Sequence, residues 1–111
     1  MENFKLSTLE YKRPDLETRS QRLTQWKAAV QQAESYEALR GLLFEIDREN
    51  CRLLTMYSVA HIRHTLDTRD EFYETEIAYL QDTLPTLGAA EVALSEAIAA
   101  SPFRSDIEQE F

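Results

Sequence analysis

Cysteine is almost missing from this sequence: Cys51 is the only one in 111 residues. A lone thiol forms no intramolecular disulfide and cannot build a cysteine zinc cluster, so the sequence predicts a reducing, cytoplasmic setting. Glycine occurs twice and proline three times. So few breakers predict few, long elements, and two isolated glycines exclude a glycine-rich phosphate loop. The start, Met1-Glu-Asn-Phe-Lys5, has no apolar run fit for a signal peptide. No stretch reaches the roughly 18 apolar residues of a membrane span, so no membrane partner is expected. Basic residues are also short. Residues 1–30 hold six Lys/Arg against four Asp/Glu, but residues 31–111 hold six against sixteen, and the net charge is −8. Such a surface repels phosphate backbones, which argues against a nucleic-acid partner and fits plain solubility or a cationic partner.

What is present is a globular composition, 43% hydrophobic and 29% charged, in a chain long enough for one domain. Ser35 to Arg69 reads as one long helix. Leu39, Leu43, Ile46, Asn50, Leu53, Tyr57, Ala60 and His64 step by four and three, which holds them on one helical face. Flanking helices must cover that stripe. Asn50 interrupts it as a register-setting polar residue. On the outer face Glu37 with Arg40, Glu45 with Arg48 and Glu49 with Arg52 are spaced for ion pairs on a solvated surface.

Residues 1–13 have no helical period and read as an extended arm that lays Phe4, Leu6 and Tyr11 against a helical bundle of residues 14–111. Pro14 is pre-set for a first turn, and Asp15 and Glu17 suit the positive end of a helix dipole. A first helix is predicted from Pro14 to Ala33, with Leu16, Leu23, Trp26, Val30 and Ala33 inward and Trp26 as a core anchor. Ser35 caps the second helix. Thr68 and Glu71 form a capping box that starts the third helix at Arg69, antiparallel to the second. The stripe Tyr73, Ile77, Leu80, Leu84, Leu87, Glu91, Leu94, Ile98 keeps its phase across Pro85, which favours one helix kinked near Gln81, rather than a break, running to Ala100. Pro102 resets the chain, and Phe103, Ile107 and Phe111 line up as the start of a fourth helix. No stop signal follows Phe111, so the chain reads as a fragment of something longer. The expected fold is an all-α, antiparallel bundle of about three long helices with an N-terminal arm.

Catalytic and cofactor-binding residues are not apparent. Ser58 and His61 share only an i, i+3 spacing, and Cys51 has no histidine one turn away. Carboxylates such as Glu71, Glu74 and Glu76 read as an exposed acidic face. His61, His64 and Asp67 at i, i+3 and i+6 are the one metal candidate. Zinc wants three or four donors in a tetrahedron, and a single helix usually gives two, best at i and i+4. The plainer reading ends the core stripe with a hydrogen-bonded His64. Arg63, Asp67, Arg69 and Asp70 would then form a buried network that locks the turn.

Three anchors in order carry a resemblance: Tyr11-Lys-Arg-Pro-Asp15, then Met56-Tyr57 and Ile62-Arg-His-Thr-Leu-Asp-Thr-Arg-Asp-Glu-Phe-Tyr73, then Ala100-Ser-Pro-Phe-Arg104. The chain resembles the N-terminal region of oligoendopeptidase F-type zinc metallopeptidases, relatives of thimet oligopeptidase. The resemblance implies a helical parent several times longer, with two lobes around a channel. It implies a zinc held by His-Glu-x-x-His and a downstream glutamate, and hydrolysis of short peptides. No His-Glu-x-x-His occurs here, so the resemblance carries over no zinc ligand, no base and no cofactor to this chain. It implies an inert segment of the channel wall whose partner is the remainder of the peptidase. Two other readings stand beside it: a helical interaction module that forms a homodimer, and a small metal protein built on His61 and His64.

Overall fold

A computed structural model describes residues 9–111. Five α-helices follow in order: α1 (Leu16–Gln32), α2 (Tyr36–Leu66), α3 (Glu71–Thr83), α4 (Gly88–Ala99) and α5 (Arg104–Glu110), with a 3-10 turn at Leu84–Leu87 between α3 and α4. Residues 9–15 have no regular structure. The arm residues Phe4 and Leu6 lie outside the described residues.

Local chemistry sets most boundaries. Asp15, extended, accepts from the Thr18 amide at 3.0 Å, so α1 starts at Leu16 and Pro14 stays outside it. Ser35 caps α2 through the Ala38 amide. The expected Thr68 capping box does not form. Asp67 ends α2 and accepts from the Arg69 amide, which places Thr68 and Arg69 in the turn. Asp70 then caps α3 by accepting from the Phe72 amide at 2.9 Å, and the helix begins at Glu71. A carboxylate one residue before the helix reaches that donor directly, so the more distant threonine is not needed.

The stripe across Pro85 holds its phase: Ile77, Leu80, Leu87 and Leu94 are buried, and Tyr73, Leu84, Glu91 and Ile98 are half-buried. The backbone stays right-handed through Thr83 and Leu84, but Pro85 has no N–H to continue the ladder, and the chain tightens into the 3-10 turn. The kink expected at Pro85 is this 3-10 turn, and the segments on either side of it, α3 and α4, share one face. They use it on different neighbours: α3 packs on α2, and α4 packs on α1. Trp26, Leu16, Leu23 and Val30 of α1 meet Leu39 and Ile46 of α2, Leu80 of α3, Leu87, and Leu94 of α4 in one cluster. Burying each such side chain contributes roughly 1.5–3 kcal/mol. Phe103 and Ile107 pack against this cluster, whereas Phe111 is fully exposed and leaves the expected line.

Polar residues in the two stripes find each other. Arg19 of α1 donates to Asn50 Oδ1 at 2.7 Å, and the same nitrogen lies 3.6 Å from Glu91. One guanidinium thus joins α1, α2 and α4. None of the i, i+3 pairs expected on α2 forms among the described residues. Glu49 pairs with Arg22 of α1 at 3.3 Å and Arg40 with Glu110 of α5 at 3.6 Å, because partners on packed helices lie closer than the next turn.

Candidate functional site

The distinctive string Tyr57–Tyr73 builds the far end of the α2–α3 hairpin. Val59 and Ala60 are buried against α3 there, but most of the string faces solvent. Ile62 is 43%, Leu66 78% and Phe72 56% exposed. Exposed apolar surface of this kind is what contact regions present.

His61, His64 and Asp67 lie on this segment. The His61 ring stands edge-on to Tyr57 at 4.5 Å, and Tyr57 accepts from Gln81 of α3. Asp67 is committed to capping the turn. His64 is half-buried, and it has no side-chain hydrogen bond among the described residues, so the bonded core histidine expected there is not formed. The buried network expected from Arg63, Asp67, Arg69 and Asp70 is also not found. Arg69 and Asp67 approach only to 3.9 Å with side chains 95% and 60% exposed, and Arg63 and Asp67 do not pair. The i, i+4 charges point into water and gain nothing by meeting.

The buried polar network sits instead where the arm crosses α3. Glu76 is 5% exposed, contrary to its expected place on an acidic surface. Tyr11 donates to Glu76 Oε1 at 2.7 Å. Arg13 Nε donates to the same carboxylate at 3.0 and 3.2 Å, and Arg13 Nη2 lies 3.0 Å from Oε2. The Arg13 guanidinium also covers the Tyr79 ring at 3.9 Å, and Tyr79 donates to the Pro14 carbonyl. The Tyr11 ring meets Phe72 and Tyr73 edge-on at 6.2 and 5.7 Å. Burial alone would raise the Glu76 carboxyl. The bonds from Arg13 and Tyr11 outweigh it and hold the group below its ordinary range. Burial, and then the bond to Glu76, pushes the Tyr11 phenol well above its own.

This clasp explains two of the three sequence anchors. Tyr11-Lys-Arg-Pro-Asp15 supplies the phenol, the guanidinium, a carbonyl and the α1 cap. Phe72 and Tyr73, at the end of the middle anchor, receive the phenol ring. Only Glu76 was hidden. Its signal was phase: it lies three residues after Tyr73 and one before Ile77, on the flank of the buried stripe.

Chemically, the arrangement holds structure together and gathers no reacting group. An open groove of about 620 Å³ between the arm, α1 and α2 is lined by residues such as Arg13, Arg19, Trp26 and Met56. Its one hydroxyl, Thr18, donates to the Asp15 carboxylate at 2.8 Å as part of the α1 cap. Among the described residues no group of three or more His, Cys, Asp or Glu side chains is placed to hold a metal. No helix among the described residues is long and apolar enough to cross a membrane.

The chain belongs to the peptidase M3 N-terminal domain family, which it matches over residues 6–111. This is the non-catalytic N-terminal domain of M3 peptidases, so the remainder of a larger peptidase is its partner. No curated protein and no solved structure gives a significant match.

Proposed function

We propose that this chain is the N-terminal helical domain of a cytoplasmic, oligoendopeptidase F-type zinc metalloendopeptidase, and that it helps wall the channel that limits substrates to short peptides. The observation that carries the reading is the family match over residues 6–111, together with the place of the anchors that suggested the oligoendopeptidase F type. The first two of these anchors form the clasp and the exposed hairpin end, where they organise shape and surface. The zinc and the general base belong, in this reading, to the part of the enzyme outside these residues.

The test is the full-length protein. It should contain His-Glu-x-x-His, cleave a short fluorogenic peptide and lose that activity with a chelator. A ladder of peptides of rising length should show a cut-off. Deleting residues 1–111 should shift or abolish the cut-off while leaving the zinc motif intact. A reading frame with no His-Glu-x-x-His would sink the peptidase reading. An unchanged length cut-off in a folded deletion variant would sink the channel-wall role.

A further inference from the structure

The outer face of α2 is unlike the rest of the surface. From Cys51 to Leu66 it presents Cys51, Leu54, Thr55, Ser58, Ile62, Thr65 and Leu66, all exposed and none charged. In a chain that is 29% charged this is a run of about 23 Å of helix with no ion on it. The threonines are already satisfied. Thr55 donates to the Cys51 carbonyl and Thr65 to the His61 carbonyl, each at 2.8 Å. Their hydroxyls turn back to the helix and their methyls remain for a partner, so dehydrating this face costs little. Thr55 and Ser58 within it, and Cys51 at its end, are small enough to let a second helix approach closely.

One edge of the face is marked. Arg48, Arg52 and Arg63 step along it at helical spacing, and among the described residues none of the three makes an ion pair or hydrogen bond. A second copy of this chain, packed antiparallel on the same face about a two-fold axis, would bring this basic edge against itself. Charge therefore selects a different surface, apolar at its centre and acidic along one border. The shape agrees with a missing cover. The radius of gyration is 17.0 Å, against roughly 13 Å for a compact chain of this length.

We infer that the Cys51–Leu66 face of α2 is the surface on which this domain docks against the rest of its peptidase, through an apolar helix bordered by carboxylates that meet Arg48, Arg52 and Arg63. The inference rests on the reading of the chain as one domain of a larger enzyme and adds which face makes the contact.

Cys51 provides the probe, because it is exposed at one end of the face. In the 111-residue protein a bulky maleimide should label it nearly as fast as in urea. In the native full-length peptidase labelling should be at least about tenfold slower, the signature of a contact that must open by 1.4 kcal/mol or more. Ile62→Asp in the full-length protein should restore fast labelling, and Val92→Asp, on the exposed side of α4, should not. Arg48→Glu with Arg52→Glu should also speed labelling. Equal labelling rates in the 111-residue and full-length proteins overturn the inference. So does a dimer of the 111-residue protein that protects Cys51 in sedimentation and labelling run together. Unchanged protection in the double charge reversal overturns the acidic border. A full-length protein that protects Cys51 but lacks the zinc motif would support the docking face and sink the peptidase reading, so the two failures are separable.

Discussion

The two halves of α2 share one helix and follow different rules. Its first half, through Leu53, lies among α1, α4 and α5, with Leu39 and Ile46 in the main cluster. Its second half is covered by α3 and the arm alone, and Leu54, Ile62 and Leu66 stand in water. In the first half apolar residues mark the inside. In the second they mark a surface awaiting cover. Hydrophobicity alone does not separate the two cases. What separates them is whether a second period, one to two residues out of phase with the core stripe, also reads as uncharged.

The sharpest break in this comparison comes from the first half. Trp26→Ala removes the largest side chain of the cluster, 5% exposed, and should cost about 3–5 kcal/mol by urea denaturation. That is a large share of the roughly 5–15 kcal/mol that holds a domain of this size. Leu66→Ala at the hairpin end should change stability of the same protein by no more than about 0.5 kcal/mol. Similar costs for the two would erase the distinction between core and contact surface.

The clasp is next in size, and it decides whether the second half is held by packing or by charge. Glu76→Ala leaves Tyr11 and Arg13 without their acceptor and should cost about 2 kcal/mol. Limited proteolysis should then cut within residues 9–15 well before any helix. Its pH dependence follows from the shifts. The Glu76 carboxyl is held low, so the stability it lends is complete above its ordinary value of 4.5 and is lost as pH falls below that. The Tyr11 phenol is raised, so its contribution is complete below 10.0 and is lost as pH rises further. Melting temperature should be flat between these limits and fall outside them. In Glu76→Ala both flanks should flatten, and acid loss of the same size in that variant would show that other carboxylates are responsible.

Much of the architecture was legible in the residues. The α1 face, the Ser35 cap and the stripe that crosses Pro85 follow from spacing and short polar side chains, which act locally. The misses have separate causes. The capping box lost to a nearer local acceptor, Asp70, the Arg63–Asp67 pair lost to water, and the i, i+3 pairs of Glu49 and Arg40 lost to Arg22 and Glu110 on packed helices. Glu76 looked like one more surface acid because its partners are 63 and 65 residues away. No window of the sequence joins an arm arginine to a helix carboxylate. The clasped arm and the Arg19 bridge therefore need the fold to be seen, although Asn50 and Glu91, two polar residues in apolar stripes, announced that something polar would meet them.

Arg19 tests what holds the first half to its neighbours. Asn50→Leu leaves its guanidinium with Glu91 alone and should cost about 1 kcal/mol, with Asn50→Leu and Glu91→Leu together costing more than the sum of the two singles. Simple additivity by urea denaturation would mean that the bridge is not a unit and that α1, α2 and α4 are joined there by packing alone.

The smallest effect belongs to the histidines. If His61 and His64 held zinc, the metal would bind the folded state and raise its melting point by mass action, and His64→Ala would remove the rise. Here His61 faces Tyr57, Asp67 is committed to the turn, and among the described residues no third donor stands within the group. Titration of zinc into the 111-residue protein should therefore leave the melting temperature unchanged and show no stoichiometric uptake, with or without His64→Ala. A one-to-one uptake abolished by that substitution would give the hairpin end a metal site on the α3-facing side of α2, beside the uncharged face that carries Ile62 and Leu66.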